Sequence, residues 1–148
     1  MLANRGVNIM SISEDAKEYL ERLHACIPRL FYSEIDATRR GFGFVLNYLD
    51  QAEREVYAGD LSKKLNVSTA RIAALLKKME QNGLITRSPS PEDARRTLVE
   101  ITPAGVDLIN EMRSHAFRKI ELLLKKVSKE DLETYIRISQ QIKEVISE

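Results

Sequence analysis

Between Ser13 and about Ile35 the apolar residues Ala16, Leu20, Leu23, Ile27, Leu30 and Phe31 recur at spacings of three and four, which places them on one face of a long amphipathic helix. Ser13 is suited to cap its N-terminus, and Glu14 and Asp15 put acid into the first turn. Pro28 removes one backbone donor and is expected to kink the helix rather than end it, because the apolar pattern continues beyond it. Arg39-Arg40-Gly41 breaks the pattern, and Phe42, Val45, Leu46 and Leu49 restart it as a second helix.

The middle of the chain changes rhythm. Leu61 and Leu65 share one face of a short helix, Asn66 tolerates the left-handed backbone that a tight turn needs, and Ser68 caps a further helix carrying Ile72, Leu75, Leu76 and Met79. Gly83 stops that helix. Residues 84–87 and 97–101 then read as two short strands around the turn-rich loop 88–96, a β-hairpin with arginines at its tip. Thr102 as N-cap and Pro103 at the first helical position open a long helix striped by Val106, Ile109, Met112, Ala116, Ile120, Leu123 and Leu124. Ser128 with Asp131 resembles a capping box and begins a last helix through Leu132, Tyr135, Ile138, Ile142 and Val145. The expected fold class is therefore mainly α with a small β-hairpin: a winged helix-turn-helix core flanked by long helices.

Charge adds a direction to this outline. The net charge of +1 argues against coating nucleic acid by bulk electrostatics, but its distribution is uneven. Residues 57–105 hold 8 Lys/Arg against 5 Asp/Glu (net +3), whereas residues 1–56 hold 7 against 9 (net −2). Positive charge thus collects on the helix-turn-helix and hairpin. No apolar run approaches the roughly 18 residues of a spanning helix, and residues 1–10 lack a secretory apolar stretch, so no membrane association and a cytoplasmic location are expected. Cys26 is the single cysteine, which excludes an intrachain disulfide and fits a reducing compartment.

A helix-turn-helix followed at once by a basic hairpin is physically suited to duplex DNA. The second helix fits the major groove, whose base edges distinguish sequences, and a thin hairpin reaches an adjacent minor groove. With Ile72, Leu75, Leu76 and Met79 inward, Thr69, Ala70, Arg71, Ala74, Lys77, Lys78 and Gln81 face outward or sideways. That surface is short-chained near its N-terminus and basic further along. Taken alone it equally describes a solvated face in another helical protein.

Three stretches narrow the choice: 60–68 (DLSKKLNVS), 76–87 (LKKMEQNGLITR) and 93–105 (DARRTLVEITPAG). Over about Phe42–Gly105 the chain resembles the MarR family of winged helix-turn-helix transcription regulators. The third stretch carries most of the resemblance: Asp93 and Arg95 two residues apart, closing on a strand and a Thr-Pro-Ala-Gly helix start. The resemblance implies a sequence-specific double-stranded DNA-binding regulator, a repressor whose binding a small ligand modulates, acting as a homodimer on a pseudo-palindromic operator. It implies base reading by Ser68, Thr69, Ala70, Arg71 and Ala74, and phosphate contacts by Lys77 and Lys78. It also implies a wing contact by Arg95, oriented by a charge-assisted hydrogen bond that Asp93 accepts. The chain departs from the family pattern at the wing, where Ala94 stands in a usually basic position and the extra charge is Arg96. It departs again at Tyr57, in place of a usual capping Thr, and at Ser62, in place of a small apolar residue.

The resemblance further implies a single domain over 1–148, with dimerisation helices at 13–36 and 106–147 and a DNA-binding lobe at 42–105, since the terminal helices expose more apolar stripe than a small lobe covers. A pocket for an aromatic or phenolic effector would draw on Tyr32, Phe42, Phe44 and Tyr48, with His24 and Arg39 as polar handles; the same aromatics also read as plain core. Cys26 stands in a helix that some relatives use for oxidant sensing, but its apolar neighbours Ala25, Ile27 and Pro28 favour burial of a structural thiol. The competing classes are a winged helix that binds protein instead of DNA and a thiol-based redox regulator. An enzyme is not expected: there is no metal-ligand spacing, no cofactor-cradling glycine loop and no nucleophile, base and orienter set.

Overall fold

The computed structural model describes residues 13–26 and 37–147, apart from the side chains of His24, of residues 37–40 and of Ser147. Along the chain these form α1 (Glu14–Cys26), α2 (Ala37–Gln51), β1 (Val56–Tyr57), α3 (Ala58–Leu65), α4 (Thr69–Gln81), β2 (Ile85–Pro89), β3 (Thr97–Ile101), α5 (Pro103–Lys126) and α6 (Lys129–Ser147). They group into two compact units, a central one over Ile35–Asn110 and a terminal one built from the chain up to Glu34 and from Glu111 onward.

In the terminal unit the hydroxyl of Ser13 caps α1 by accepting the N–H of Ala16 (3.2 Å). The α1 stripe of Ala16, Tyr19 and Leu23 buries itself against Ile120 of α5 and Leu132 and Ile136 of α6. Ser128 caps α6 through the N–H of Asp131 (3.1 Å) and donates its own hydroxyl to the Asp131 carboxylate (2.6 Å). Beside this core the Arg22 guanidinium and the Tyr19 hydroxyl both donate to the Glu133 carboxylate, at 2.6 and 2.9 Å. The hydrogen bonds from Arg22 and then Tyr19 hold the Glu133 carboxyl below its ordinary range. A second stripe of α6, formed by Tyr135, Ile138, Ile142 and Val145, is exposed. The continuation of the first helix through Pro28 to Ile35 lies outside the described residues.

The central unit packs α2, α3, α4 and the start of α5 around a three-stranded antiparallel sheet of order β1-β3-β2. Ile85 pairs with Ile101, Arg87 with Val99 and Pro89 with Thr97, so the hairpin is in register from base to wing. Two local features differ from the pattern-based expectation. α2 begins at Ala37, so Arg39-Arg40-Gly41 lies inside a helix instead of before one. A glycine in a helix interior costs about 1 kcal/mol in chain entropy, but here it is a point of close approach: a Cβ on Gly41 would stand 3.1 Å from Leu75 Cδ1. The other difference is β1, a third strand that pairs Val56 with Val99 and Tyr57 with Leu98.

The Thr102-Pro103-Ala104-Gly105 start of α5 clamps the sheet to the end of α4. The Thr102 hydroxyl accepts the Gly105 N–H (3.1 Å) and donates to the Gly83 carbonyl (2.6 Å), while the Thr102 N–H bonds the Leu84 carbonyl (3.1 Å). Gly105 makes this approach possible, because a Cβ there would lie 2.2 Å from the Leu84 oxygen.

Candidate nucleic-acid interface

The angle between α3 and α4 is set by backbone chemistry at the turn. Asn66 takes the left-handed conformation (φ 52°, ψ 48°), and its N–H and that of Val67 return to the carbonyls of Lys63 and Ser62, both at 3.1 Å. The buried Ser62 hydroxyl donates to the Val67 carbonyl (2.7 Å), so a polar residue in a normally apolar position is satisfied and staples the turn. Ser68 then caps α4, its hydroxyl accepting the Arg71 N–H (3.2 Å). At the far end Gly83 (φ 70°) turns the chain into β2. There the Arg87 guanidinium grips Glu80 through two nitrogens, at 3.0 and 2.6 Å, and holds that carboxyl below its usual range.

Ile72, Leu76 and Met79 are buried, with Leu75 half-buried, and this fixes the outward face of α4. Ser68, Thr69, Ala70, Arg71, Ala74, Lys77 and Lys78 are all exposed on it. The expected base-reading and phosphate-binding residues are thus together on one solvent-facing surface. Among the described residues, Arg71, Lys77, Lys78 and Arg95 form no ion pair with a carboxylate, leaving this face's charge uncompensated.

The wing is held by its own backbone. The Ser90 N–H donates to the Arg96 carbonyl (2.8 Å), and the Arg96 N–H donates to the Asp93 carbonyl (2.9 Å). The Asp93 carboxylate accepts the N–H of Arg95 (3.0 Å). Asp93 therefore shapes the turn under Arg95 through that residue's backbone N–H; a carboxylate two residues back is well placed to cap a turn amide. Arg95 and Arg96 are both exposed, but they are disposed differently. The Arg96 guanidinium lies over the Tyr57 ring, 3.6 Å from its centroid. Between wing and helix-turn-helix runs an open cleft of about 370 Å³ lined by Tyr57, Asp60, Lys63, Thr69, Ala73, Arg95 and Arg96 among others.

Phe42 is buried in the lobe core, Phe44 is exposed and Tyr48 is half-buried; none of them lines the cleft. Tyr32 and the side chains of His24 and Arg39 lie outside the described residues. Cys26 is half-buried against the terminal core, its Sγ 4.0 Å from the Ile136 carbonyl. Among the described residues no cluster of His, Cys, Asp and Glu could hold a metal ion, and no helix is long and apolar enough to cross a membrane. The sequence reading missed the Arg87–Glu80 pair and the Arg96–Tyr57 stack. Both join residues from different elements, and only the departures at Tyr57 and Arg96 hinted at the second.

This geometry defines a winged helix-turn-helix, and the comparisons agree. Residues 44–97 match the model of the MarR family. The HTH-type transcriptional regulator YdgJ of Bacillus subtilis is 35% identical over 77 residues, covering 52% of this chain and 47% of that protein. The chain spans about half the length of the curated relatives it matches. Among solved structures, the PcaV transcriptional regulator of Streptomyces coelicolor has the same fold, with a TM-score of 0.67 at 16% identity over 91% of this chain and 98% of that one. A mutant of S. aureus MepR bound to an oligodeoxyribonucleotide has a TM-score of 0.55 at 21% identity over 90% of this chain and 91% of its own. The matched family is one of transcription regulators and not of enzymes.

Proposed function

We propose that this chain is a transcription regulator that binds double-stranded DNA through α4 and the wing. The observation that carries the reading is the exposed, uncompensated face of α4, which shares the helix-turn-helix surface with a wing that presents Arg95. Short side chains at Ser68, Thr69, Ala70 and Ala74 let the backbone approach base edges, with Arg71 able to reach a guanine. Lys77 and Lys78 meet phosphates further along, and Arg95 enters the adjacent minor groove, where negative potential concentrates. The oligodeoxyribonucleotide complex of the MepR neighbour supports a DNA partner for this fold.

The chain acts as a single MarR-like domain and a homodimer. The helices at 13–36 and 106–147 supply the two-fold contact, and the lobe at 42–105 supplies the readers. The exposed stripe of Tyr135, Ile138, Ile142 and Val145 supports this, since apolar surface of that extent is stabilised by burial against a second copy. The finer reading is repression in the cytoplasm by occupying an operator, relieved by a small aromatic or phenolic ligand.

Selection of bound duplexes from a randomised pool, followed by footprinting, tests the reading. It predicts a pseudo-palindrome with half-sites about one helical turn apart, and sedimentation at twice the chain mass. Enrichment of no sequence over the starting pool, or binding by a stable monomer alone, would overturn it.

A further inference from the structure

Two of the residues that depart from the family pattern, Tyr57 before the helix-turn-helix and Arg96 in the wing, are in contact with each other. Tyr57 is buried at the junction of β1 and α3, where its N–H bonds the Asp60 carboxylate (3.1 Å), so its position marks the start of the first helix of the helix-turn-helix. Arg96 is the last residue of the wing loop before β3. Its amide and carbonyl are both engaged within the wing, as described above, and its guanidinium stacks on the Tyr57 ring at 3.6 Å. Arg96 is thereby fixed at three points, whereas among the described residues Arg95, one position away, is tied through its backbone N–H.

The ring is prepared for this partner. The Tyr57 hydroxyl donates to the Glu55 carboxylate (2.6 Å), which pushes electron density toward the ring and strengthens its attraction for a cation. A planar guanidinium stacks on such a face; a lysine ammonium has no plane with which to do so. The contact links the base of the wing directly to the start of α3, across one end of the cleft that both residues line.

We propose that Arg96 is a positioning residue: stacked on Tyr57, it sets the angle of the wing against the helix-turn-helix, so that Arg95 is the arginine delivered to DNA. This rests on the DNA-binding reading above. It assigns the extra wing charge an intramolecular task and accounts for why a tyrosine stands where a capping residue would serve.

The test compares Arg96→Gln, Tyr57→Leu and Tyr57→Phe in the full chain, first without DNA and then on a duplex recovered from the randomised pool. Hydrogen exchange in the free protein should show the Ser90 amide, which bonds the Arg96 carbonyl, exchanging faster in Arg96→Gln and Tyr57→Leu. It should be near wild type in Tyr57→Phe, which keeps the aromatic face. On the duplex, the first two should lose roughly two- to fivefold in affinity, the effect of one surface cation–π contact, with the salt slope unchanged. Their double mutant should lose no more than either single one.

If Arg96→Gln instead lowers the salt slope by about one per arm while Tyr57→Leu binds as wild type, Arg96 is a phosphate contact and the proposal fails. It fails equally if wing exchange is the same in all variants. Failure of the wild type to bind any duplex would overturn the functional reading, while the exchange data would still decide whether the stack holds the wing.

Discussion

Replacing Gly105 with alanine adds one carbon where the structure has no room for it. The new Cβ would lie 2.2 Å from the Leu84 carbonyl oxygen, 2.8 Å from Ile101 Cγ1 and 3.1 Å from Leu46 Cδ2. The nearest of these, the Leu84 oxygen, is backbone at the base of the hairpin, so no side-chain rotation can relieve that contact. About 1 Å of displacement of the first turn of α5 would restore an ordinary contact distance. That movement breaks the bonds from Thr102 to the Gly83 and Leu84 carbonyls, which stand at 2.6 and 3.1 Å. Two lost hydrogen bonds cost about 2 kcal/mol together, and residual overpacking costs 1–3 kcal/mol, roughly. The better helix propensity of alanine returns about 1 kcal/mol. The net loss is then about 2–4 kcal/mol, or a fall in Tm of roughly 5–15 °C for a chain of this size. Urea and thermal unfolding of purified protein measure it directly. A Gly105→Ala variant within about 0.5 kcal/mol of wild type, the range of ordinary surface substitutions, would refute the claim that the Thr102–Gly105 start is clamped onto the hairpin.

Arg95→Ala should leave stability within about 0.5 kcal/mol of wild type while lowering the salt slope of DNA binding by roughly one unit per dimer arm, and Asp93→Ala should give a smaller affinity loss with the slope intact, because it loosens the turn and deletes no cation. Affinity titrations across a salt series separate the two. Arg22 and Tyr19 hold the Glu133 carboxyl below its ordinary value of 4.5, so this site stabilises the folded terminal unit fully above that value, and the contribution disappears as pH falls through the lower folded value. Wild type should therefore exceed Glu133→Gln in urea midpoint at neutral pH, with the gap closing below about pH 4.5; a gap that is constant or widens on acidification contradicts the pairing. Cys26→Ser should leave DNA binding and its response to peroxide unchanged. Dissociation by peroxide of the wild type alone would establish a sensing thiol.

The parts of the fold legible in the sequence were those with local causes. Asn66 and Gly83 sit in left-handed turns because few other residues tolerate that backbone, and Ser13, Ser68, Thr102 and Ser128 cap helices because a hydroxyl there meets an unpaired amide. The outward face of α4 followed from which of its residues are apolar. What stayed hidden depends on partners distant in the chain. β1 is two residues long, too short for an alternating pattern, and exists because β3 offers it an edge. Gly41 reads as a helix breaker until Leu75 is seen resting on it. At the wing the residue types placed Arg95 and Arg96 on an exposed loop, but the stacking partner of Arg96 is a ring 39 positions earlier in the chain.

In the proposed function the charge on α4 and the wing is there for DNA phosphates. The most direct measurement is an equilibrium titration of the wild-type chain on a selected duplex of about 30 base pairs, repeated from about 50 to 200 mM salt, since each phosphate neutralised adds about 0.9 to the slope of log affinity against log salt. Binding should be tight at low salt and weaken steeply, with a slope near that of several phosphate contacts per protomer, and the slope should be shallower for Lys77→Gln/Lys78→Gln. Affinity that does not respond to salt, or a slope unaltered by removing both lysines, would contradict it.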